Sequence, residues 1–136
     1  MKVNKKLVKT EDEQIEDYIN RYGWTMKQTG TGLRYMIYKE GNGPKAETGK
    51  VAVIHFTVSL LNGDTCYTSE SDGYKEFLIG KGGVESGLEE GILLLKKGDR
   101  AKFIIPSHLA FGLTGDMNKI PAKATLVYDI KLLKLN

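Results

Sequence analysis

The sequence contains few residues of the kinds that form disulfides or bind metals. Cys66 is the only cysteine, so no disulfide can form within the chain. We expect it to be a small packed hydrophobe, with a reactive thiol as the alternative. The only histidines are His55 and His108, and a zinc site would need carboxylates that follow no metal-binding spacing. The sequence therefore predicts neither a metal ion nor a cofactor.

A large charge of one sign and a long apolar run are also missing. The net charge is only +3, and the densest basic group, Lys2, Lys5, Lys6 and Lys9, is typical of a solvated terminus. We therefore expect no nucleic-acid partner. The aliphatic run from Ile92 to Leu95 is far too short to span a membrane, and the first residues lack the apolar core of a secretion signal. Membrane attachment would need an anchor that is absent from this chain.

The glycine-rich stretch at residues 80–87 does not match a phosphate-binding loop. A dinucleotide loop that started at Gly80 would need a glycine at position 85, where Glu85 would repel a pyrophosphate. A P-loop would need a lysine after Gly87, where Leu88 stands. No nucleophile elbow is visible, although a Ser-His-Asp arrangement stays open. His55 falls on the polar face of a strand and is expected to face solvent or form a hydrogen bond.

A short helix is predicted directly after these glycines. Ser86 and Glu89 have the spacing of a capping box, and Leu88 and Ile92 then share one helical face. Glu89 and its neighbour Glu90 are interpreted as solvated charges of the first turn. The stretch would place Leu88 inward, at the floor of an apolar pocket.

The chain as a whole is predicted to be an α+β protein. Thr10 and Glu13 form a capping box, apolar residues follow at helical spacing, and Gly23 can end the helix, which predicts a helix over residues 11–22. Its apolar stripe fits a sheet or, alternatively, a second copy of the chain. Strands are predicted at residues 33–38, 50–60, 65–68, 74–79, 99–106 and 124–135, without an alternating βαβ order.

The order of these elements resembles the FKBP-type peptidyl-prolyl cis-trans isomerases. The resemblance rests on VAVIHFTVSLLNG, FLIGKGGVESGLEEGILLLKKGDRAKFIIPSHLAFG and IPAKATLVYDIKLL, and it covers residues 48–136. Members with an N-terminal extension, such as gliding-motility-associated FKBP-like lipoproteins, look similar. The resemblance implies a five- or six-stranded antiparallel half-barrel wrapped on one short helix. It also divides the chain into an N-terminal helical extension, residues 1–23, which we expect to be dispensable for the fold of the rest, and an FKBP-like domain, residues 24–136.

The resemblance also implies a site for a proline ring. Its catalytic positions fall on Phe56, Tyr67, Leu88, Phe111 and Tyr128, and its substrate-binding positions on Tyr74, Val84, Glu85 and Ile120. Either Cys66 or Tyr67 could replace the family's phenylalanine. No aspartate follows it, Leu88 stands where a tryptophan is usual, and Phe111 lacks the usual tyrosine hydroxyl.

Two functional interpretations follow from the resemblance. The chain is a peptidyl-prolyl isomerase of low efficiency that acts on proline-containing folding clients, or it is a non-catalytic FKBP-like binding or chaperone module. The family resemblance favours the bacterial periplasm or cell envelope as the native compartment.

Overall fold

The computed structural model describes residues 9–136, which form one antiparallel sheet with helices on both of its faces. The helices are α1 (Glu11–Tyr22), α2 (Ser69–Asp72) and α3 (Ser86–Ile92), and a 3₁₀ turn covers Ser107–Leu109. The strands are β1 (Lys27–Gln28), β2 (Arg34–Lys39), β3 (Val51–Leu60), β4 (Thr65–Thr68), β5 (Lys75–Leu78), β6 (Arg100–Ile105) and β7 (Leu126–Leu135). The predicted α+β class is confirmed.

The sheet has the strand order β1-β2-β6-β7-β3-β4, and β5 pairs with β3 beside this path. All six predicted strands are present, with ends that differ by up to two residues from the prediction. The seventh strand, β1, has only two residues and was not predicted, because so short a segment carries no periodicity. The long strand β3 pairs with three others, so its side chains lie at the middle of the molecule.

One face of the sheet, which we call the α3 face, carries the main core. Alternate residues of β3, among them Ala52, Ile54 and Phe56, are buried there, as the alternation predicted. Helix α3 packs closely on β6, because Gly87 lies against Ile105 and a Cβ at Gly91 would come within 2.6 Å of the Phe103 ring. The two glycines, four residues apart, therefore bring the helix against the sheet.

The polar residues at the start of α3 have other partners than the sequence suggested. The N-cap is Glu85, not Ser86, and it makes no side-chain capping bond. The Ser86 hydroxyl instead donates to the carbonyl of Leu109 at 3.3 Å. Glu89 accepts hydrogen bonds from the N–H groups of Gly80 (3.1 Å) and Gly82 (2.9 Å). The predicted capping box is therefore wrong, and Glu89 closes the preceding glycine loop rather than facing solvent.

Helix α1 covers part of the opposite face of the sheet, which we call the α1 face. Its bounds, its Thr10–Glu13 capping box and its left-handed Gly23 cap agree with the prediction. Ile15, Tyr18 and Ile19 are buried, and they form a second apolar cluster with Ile104 and Val127 of the sheet. The apolar stripe of α1 therefore meets the sheet of its own chain.

Polar contacts fasten α1 to the sheet at two points. Glu11 accepts hydrogen bonds from the N–H of Ser107 (2.7 Å), the hydroxyl of Ser107 (2.9 Å) and the hydroxyl of Thr125. Arg34, whose surface is 3% exposed, pairs with Asp12 at 3.3 Å and with Glu16 at 3.5 Å. The boundary at residue 23 stays a prediction, although these contacts join the extension firmly to residues 24–136.

The basic group at the amino terminus lies mostly outside the described residues. These exclude Lys2, Lys5 and Lys6, while the Lys9 ammonium pairs with Asp17. Within residues 9–136, no helix has the length and apolar character needed to cross a membrane.

Candidate functional site

A cleft of about 420 Å³ opens on the α3 face of the sheet. Its lining combines aromatic and aliphatic walls with a few charged side chains: Phe56, Val58, Tyr67, Asp72, Gly73, Tyr74, Lys75, Glu85, Phe111, Asp116, Ile120 and Tyr128. Seven of the nine predicted site residues are among them. A largely apolar cleft with a few polar groups is typical of a site for a small or extended ligand.

Two neighbouring strands supply the inner walls of the cleft. On β3, Phe56 and Val58 point to the same face because side chains alternate along a strand. Tyr128 of β7 pairs with Val58 and is 1% exposed. Phe111 and Ile120 come from the loop between the 3₁₀ turn and β7. The cleft therefore lies between the rigid middle of the sheet and a long connecting loop.

Two predicted residues are not part of the cleft lining. Leu88 is 0% exposed and packs within the core of the α3 face, so the expectation of a floor open to the pocket needs correction. The close approach of α3 to β6 buries this side chain completely. Val84 borders a neighbouring groove, which it shares with Phe77 and Phe111. Leu88 therefore has no exposed surface that could touch a ligand, whereas Val84 is partly exposed to the neighbouring groove and not to the cleft.

A hydroxyl–carboxylate pair connects the buried Tyr128 of β7 to Glu85 at the start of α3. The Tyr128 hydroxyl donates to Oε2 of Glu85 at 2.8 Å. Burial raises the pKa of Tyr128 well above its usual range, and the neighbouring Glu85 charge and the hydrogen bond raise it further. Tyr128 therefore stays protonated, and its hydroxyl donates its hydrogen bond to Glu85 rather than to a ligand.

A second pair joins β4 to the long loop. The Tyr67 hydroxyl donates to Asp116, which also accepts from the N–H groups of Asn118 (2.9 Å) and Ile120 (2.8 Å). The hydrogen bond to Asp116, together with burial, raises the pKa of Tyr67. Burial of the carboxyl works against its charge, but these hydrogen bonds outweigh it and lower the pKa of Asp116. Tyr67 lines the cleft, whereas Cys66 is buried beside it.

Five lining residues were missed by the sequence analysis: Val58, Asp72, Gly73, Lys75 and Asp116. Asp116 supplies a carboxylate to the cleft, and no local pattern in the sequence indicates its contact with Tyr67, which is 49 residues away. Lys75 could have been found, because it alternates with the buried Phe77 on the inner side of β5. The neighbouring Tyr74, which the sequence predicted as a site residue, is 65% exposed and lies at the rim of the cleft.

A histidine and a serine stand behind that rim. The Tyr74 ring meets the His55 ring edge-on, with 5.9 Å between the ring centroids. Nδ1 of His55 lies at 2.5 Å from the Ser69 hydroxyl, whose oxygen also accepts from the N–H of Phe56 at 3.1 Å. His55 is therefore hydrogen-bonded, one of the two expectations for it. Among residues 9–136, no group of three or more acidic, histidine or cysteine side chains could hold a metal ion.

The family comparison covers the whole cleft. Residues 43–133 match the model of the FKBP-type peptidyl-prolyl cis-trans isomerases. The chain belongs to this family. All twelve lining residues fall inside the matched range, whereas α1 lies before it.

Individual FKBP relatives agree with the family match. The chain is 36% identical over 111 residues to the probable FKBP-type peptidyl-prolyl cis-trans isomerase FkpA of Neisseria meningitidis, a match that covers 81% of this chain and 40% of that protein. It is 39% identical over 93 residues to FK506-binding protein 2 of Dictyostelium discoideum, covering 68% of this chain and 70% of that protein. The chain thus spans about 40% of the length of the FkpA relatives.

Solved FKBP structures share the fold. FkpA from Escherichia coli superposes with a TM-score of 0.79 at 30% identity and covers 89% of this chain and 57% of that one. The structure of AtFKBP13 also gives a TM-score of 0.79, at 27% identity, and covers 83% of this chain and all of that one. The resemblance noted in the sequence is therefore confirmed for both family and fold.

Proposed function

We propose that this chain catalyses the cis–trans isomerisation of X–Pro bonds in proline-containing polypeptides. The observation that carries the proposal is the cleft itself, whose walls Phe56, Phe111 and Tyr128 can receive a proline ring. The family match to isomerases over the range that contains these walls supports the same conclusion.

The chemistry of the cleft needs no covalent intermediate. Resonance holds the peptide bond planar with a barrier of about 18–20 kcal/mol, and rotation at X–Pro takes tens of seconds or more without a catalyst. The planar form is the more polar one, so an apolar, water-poor cleft disfavours it relative to the twisted form. Binding the twisted form better than the planar one is what accelerates the rotation.

The walls divide into two proposed roles. Phe56, Tyr67, Phe111 and Tyr128 would surround the reacting bond, while Tyr74, Glu85 and Ile120 would contact the flanking residues of the peptide. Leu88 would act only through the packing of α3 beneath the site.

Most of the polar groups of the cleft are already hydrogen-bonded within the protein, and we therefore expect low catalytic efficiency. The hydroxyl groups of Tyr67 and Tyr128 already donate hydrogen bonds to Asp116 and Glu85, and Phe111 has no hydroxyl. Few side-chain donors therefore remain to orient the carbonyl groups of a bound peptide.

A protease-coupled assay on a proline-containing peptide tests the proposal. We expect acceleration by the wild-type chain and a large loss in Ile120→Trp, whose indole would fill the cleft. The matched control is Leu113→Trp, on the same loop but 77% exposed and outside the lining, which should keep full activity. Thermal melting of both variants would show that they fold.

The rate should also be flat between about pH 6 and 9, because no histidine or cysteine among residues 9–136 lines the cleft. A bell-shaped profile would contradict the mechanism. Peptide binding without any acceleration would instead identify the chain as an FKBP-like binding module.

A further inference from the structure

Lys75 places a positive charge inside the cleft. Its Nζ lies 5.1 Å from the centre of the Phe56 ring and 5.8 Å from the centre of the Tyr128 ring. Both rings are inner walls of the cleft, so the ammonium reaches the volume in which a proline ring would lie. The strand register supports this direction, since Lys75 pairs with the fully buried Ile54.

The other charged groups of the cleft have partners within the protein. Glu85 accepts from Tyr128, Asp116 accepts from Tyr67, and Asp72 accepts from the N–H of Thr68 at 3.2 Å. Lys75, by contrast, takes part in none of the salt bridges found among residues 9–136. Among residues 9–136, its ammonium is thus the one cationic donor that lines the cleft, and it rests on the two aromatic faces.

The prolyl nitrogen changes its hydrogen-bonding character as the bond rotates. In the planar amide its lone pair is delocalised into the carbonyl, so the nitrogen is a poor acceptor. In the twisted form the lone pair is localised on nitrogen, which can then accept a hydrogen bond. A donor at this atom therefore stabilises the transition state more than the ground state, as catalysis requires.

We propose that Lys75 is a catalytic residue of this site and donates a hydrogen bond to the prolyl nitrogen as the X–Pro bond twists. This inference rests on the isomerase function proposed above. No proton is transferred and no bond breaks: the ammonium keeps its three hydrogens and shares one of them while the nitrogen lone pair is exposed. The flexible side chain of lysine allows the ammonium to follow this atom through the rotation.

The position of Lys75 also fits a second role, occupancy of the cleft before a peptide binds, and the test must distinguish this role from catalysis. An ammonium resting on Phe56 and Tyr128 could simply occupy the cleft until a peptide displaces it. Removal of the charge would then improve peptide binding, whereas removal of a catalytic donor would slow the chemical step.

The experiment measures kcat and KM for one proline peptide with the wild type, Lys75→Met, Lys75→Arg and the control Lys27→Met. Methionine keeps most of the length of the side chain without its charge, and Lys27 is exposed on β1 at the far edge of the sheet. We expect kcat to fall about tenfold in Lys75→Met with little change in KM. Lys75→Arg should stay within about threefold of the wild type, because it restores a cationic donor.

The outcomes distinguish failure of the catalytic role of Lys75 from failure of the proposed isomerase function. A lower KM with equal or higher kcat in Lys75→Met would overturn the catalytic role in favour of occupancy. Unchanged kinetics in that variant, in a protein that Ile120→Trp inactivates, would also overturn it while leaving the isomerase site in place. An inactive wild type would instead refute the proposed function, and full activity in Ile120→Trp would refute the cleft as its site and Lys75 as its catalytic donor.

Discussion

The two faces of the sheet are held together by different chemistry. The α3 face is packed almost entirely by apolar side chains of β3, β6, β7 and α3. The α1 face buries only a small apolar cluster and adds hydrogen bonds and ion pairs through Glu11 and Arg34. Apolar packing is non-directional, while the polar contacts need fixed partners. The first face therefore combines a non-directional apolar core with a cleft in which Tyr67 and Tyr128 bond to carboxylates, and the second depends mainly on particular polar partners.

The largest effect is expected from deletion of residues 1–23, which tests whether the α1 face is part of the stable unit. The deletion would uncover Ile104 and Val127 and leave the buried Arg34 without its acidic partners. We expect the free energy of unfolding to fall by on the order of 3–5 kcal/mol, because the buried side chains of Ile15, Tyr18 and Ile19 are removed as well. Denaturant unfolding of the truncated chain measures it. Cooperative unfolding of the truncated chain would agree with the expectation that residues 1–23 are dispensable for the fold, whereas an unchanged midpoint would show that α1 does not stabilise the sheet.

Overpacking of the α3 face should have the next largest effect. Leu88 and Ile92 are both 0% exposed, so Leu88→Trp and Ile92→Trp should each destabilise the protein by about 1–3 kcal/mol. Melting curves measure the stability of the two variants, and a peptide titration measures their affinity for a proline-containing peptide. A stable Leu88→Trp protein with altered peptide affinity would show that position 88 does open to the cleft.

The polar anchor of the α1 face can be weakened without removal of the helix. Glu11→Gln keeps the shape of the side chain but loses the charge that strengthens hydrogen bonds from Ser107 and Thr125. We expect a loss of about 1–2 kcal/mol, with isomerase activity unchanged because Glu11 lies outside the cleft. Glu70→Gln, at an exposed position of α2, is the control and should not change the melting temperature. Equal melting temperatures for all three proteins would contradict the anchor.

The smallest effect is a pH dependence on the α3 face. The folded state lowers the pKa of Asp116, so its carboxylate contributes stability that is present at neutral pH and lost as the pH falls through that lowered value. In Asp116→Asn this contribution is missing at every pH. The stability difference between wild type and variant should therefore shrink below about pH 4. Denaturant titrations at several acid pH values measure it, and a constant difference would refute the linkage.

The sequence predicted what depends on periodicity and local capping. Alternation along β3 placed Phe56 inside, and the Thr10–Glu13 box marked the start of α1. It could not predict contacts between distant segments: Asp116 with Tyr67, or Glu11 with Ser107, which is 96 residues away. The error at Leu88 has the same origin, because only the packing of α3 on β6 decides that this residue is closed off.

The position of the single tryptophan gives the α1 face an optical signal that the cleft does not share. Trp24 packs against Tyr18 and Tyr22, with ring centroids 5.5 Å and 5.2 Å away, and the Lys102 ammonium lies 5.0 Å above it. The indole is on the α1 face and does not line the cleft. Its fluorescence should therefore report the docking of α1 and remain silent when a peptide binds.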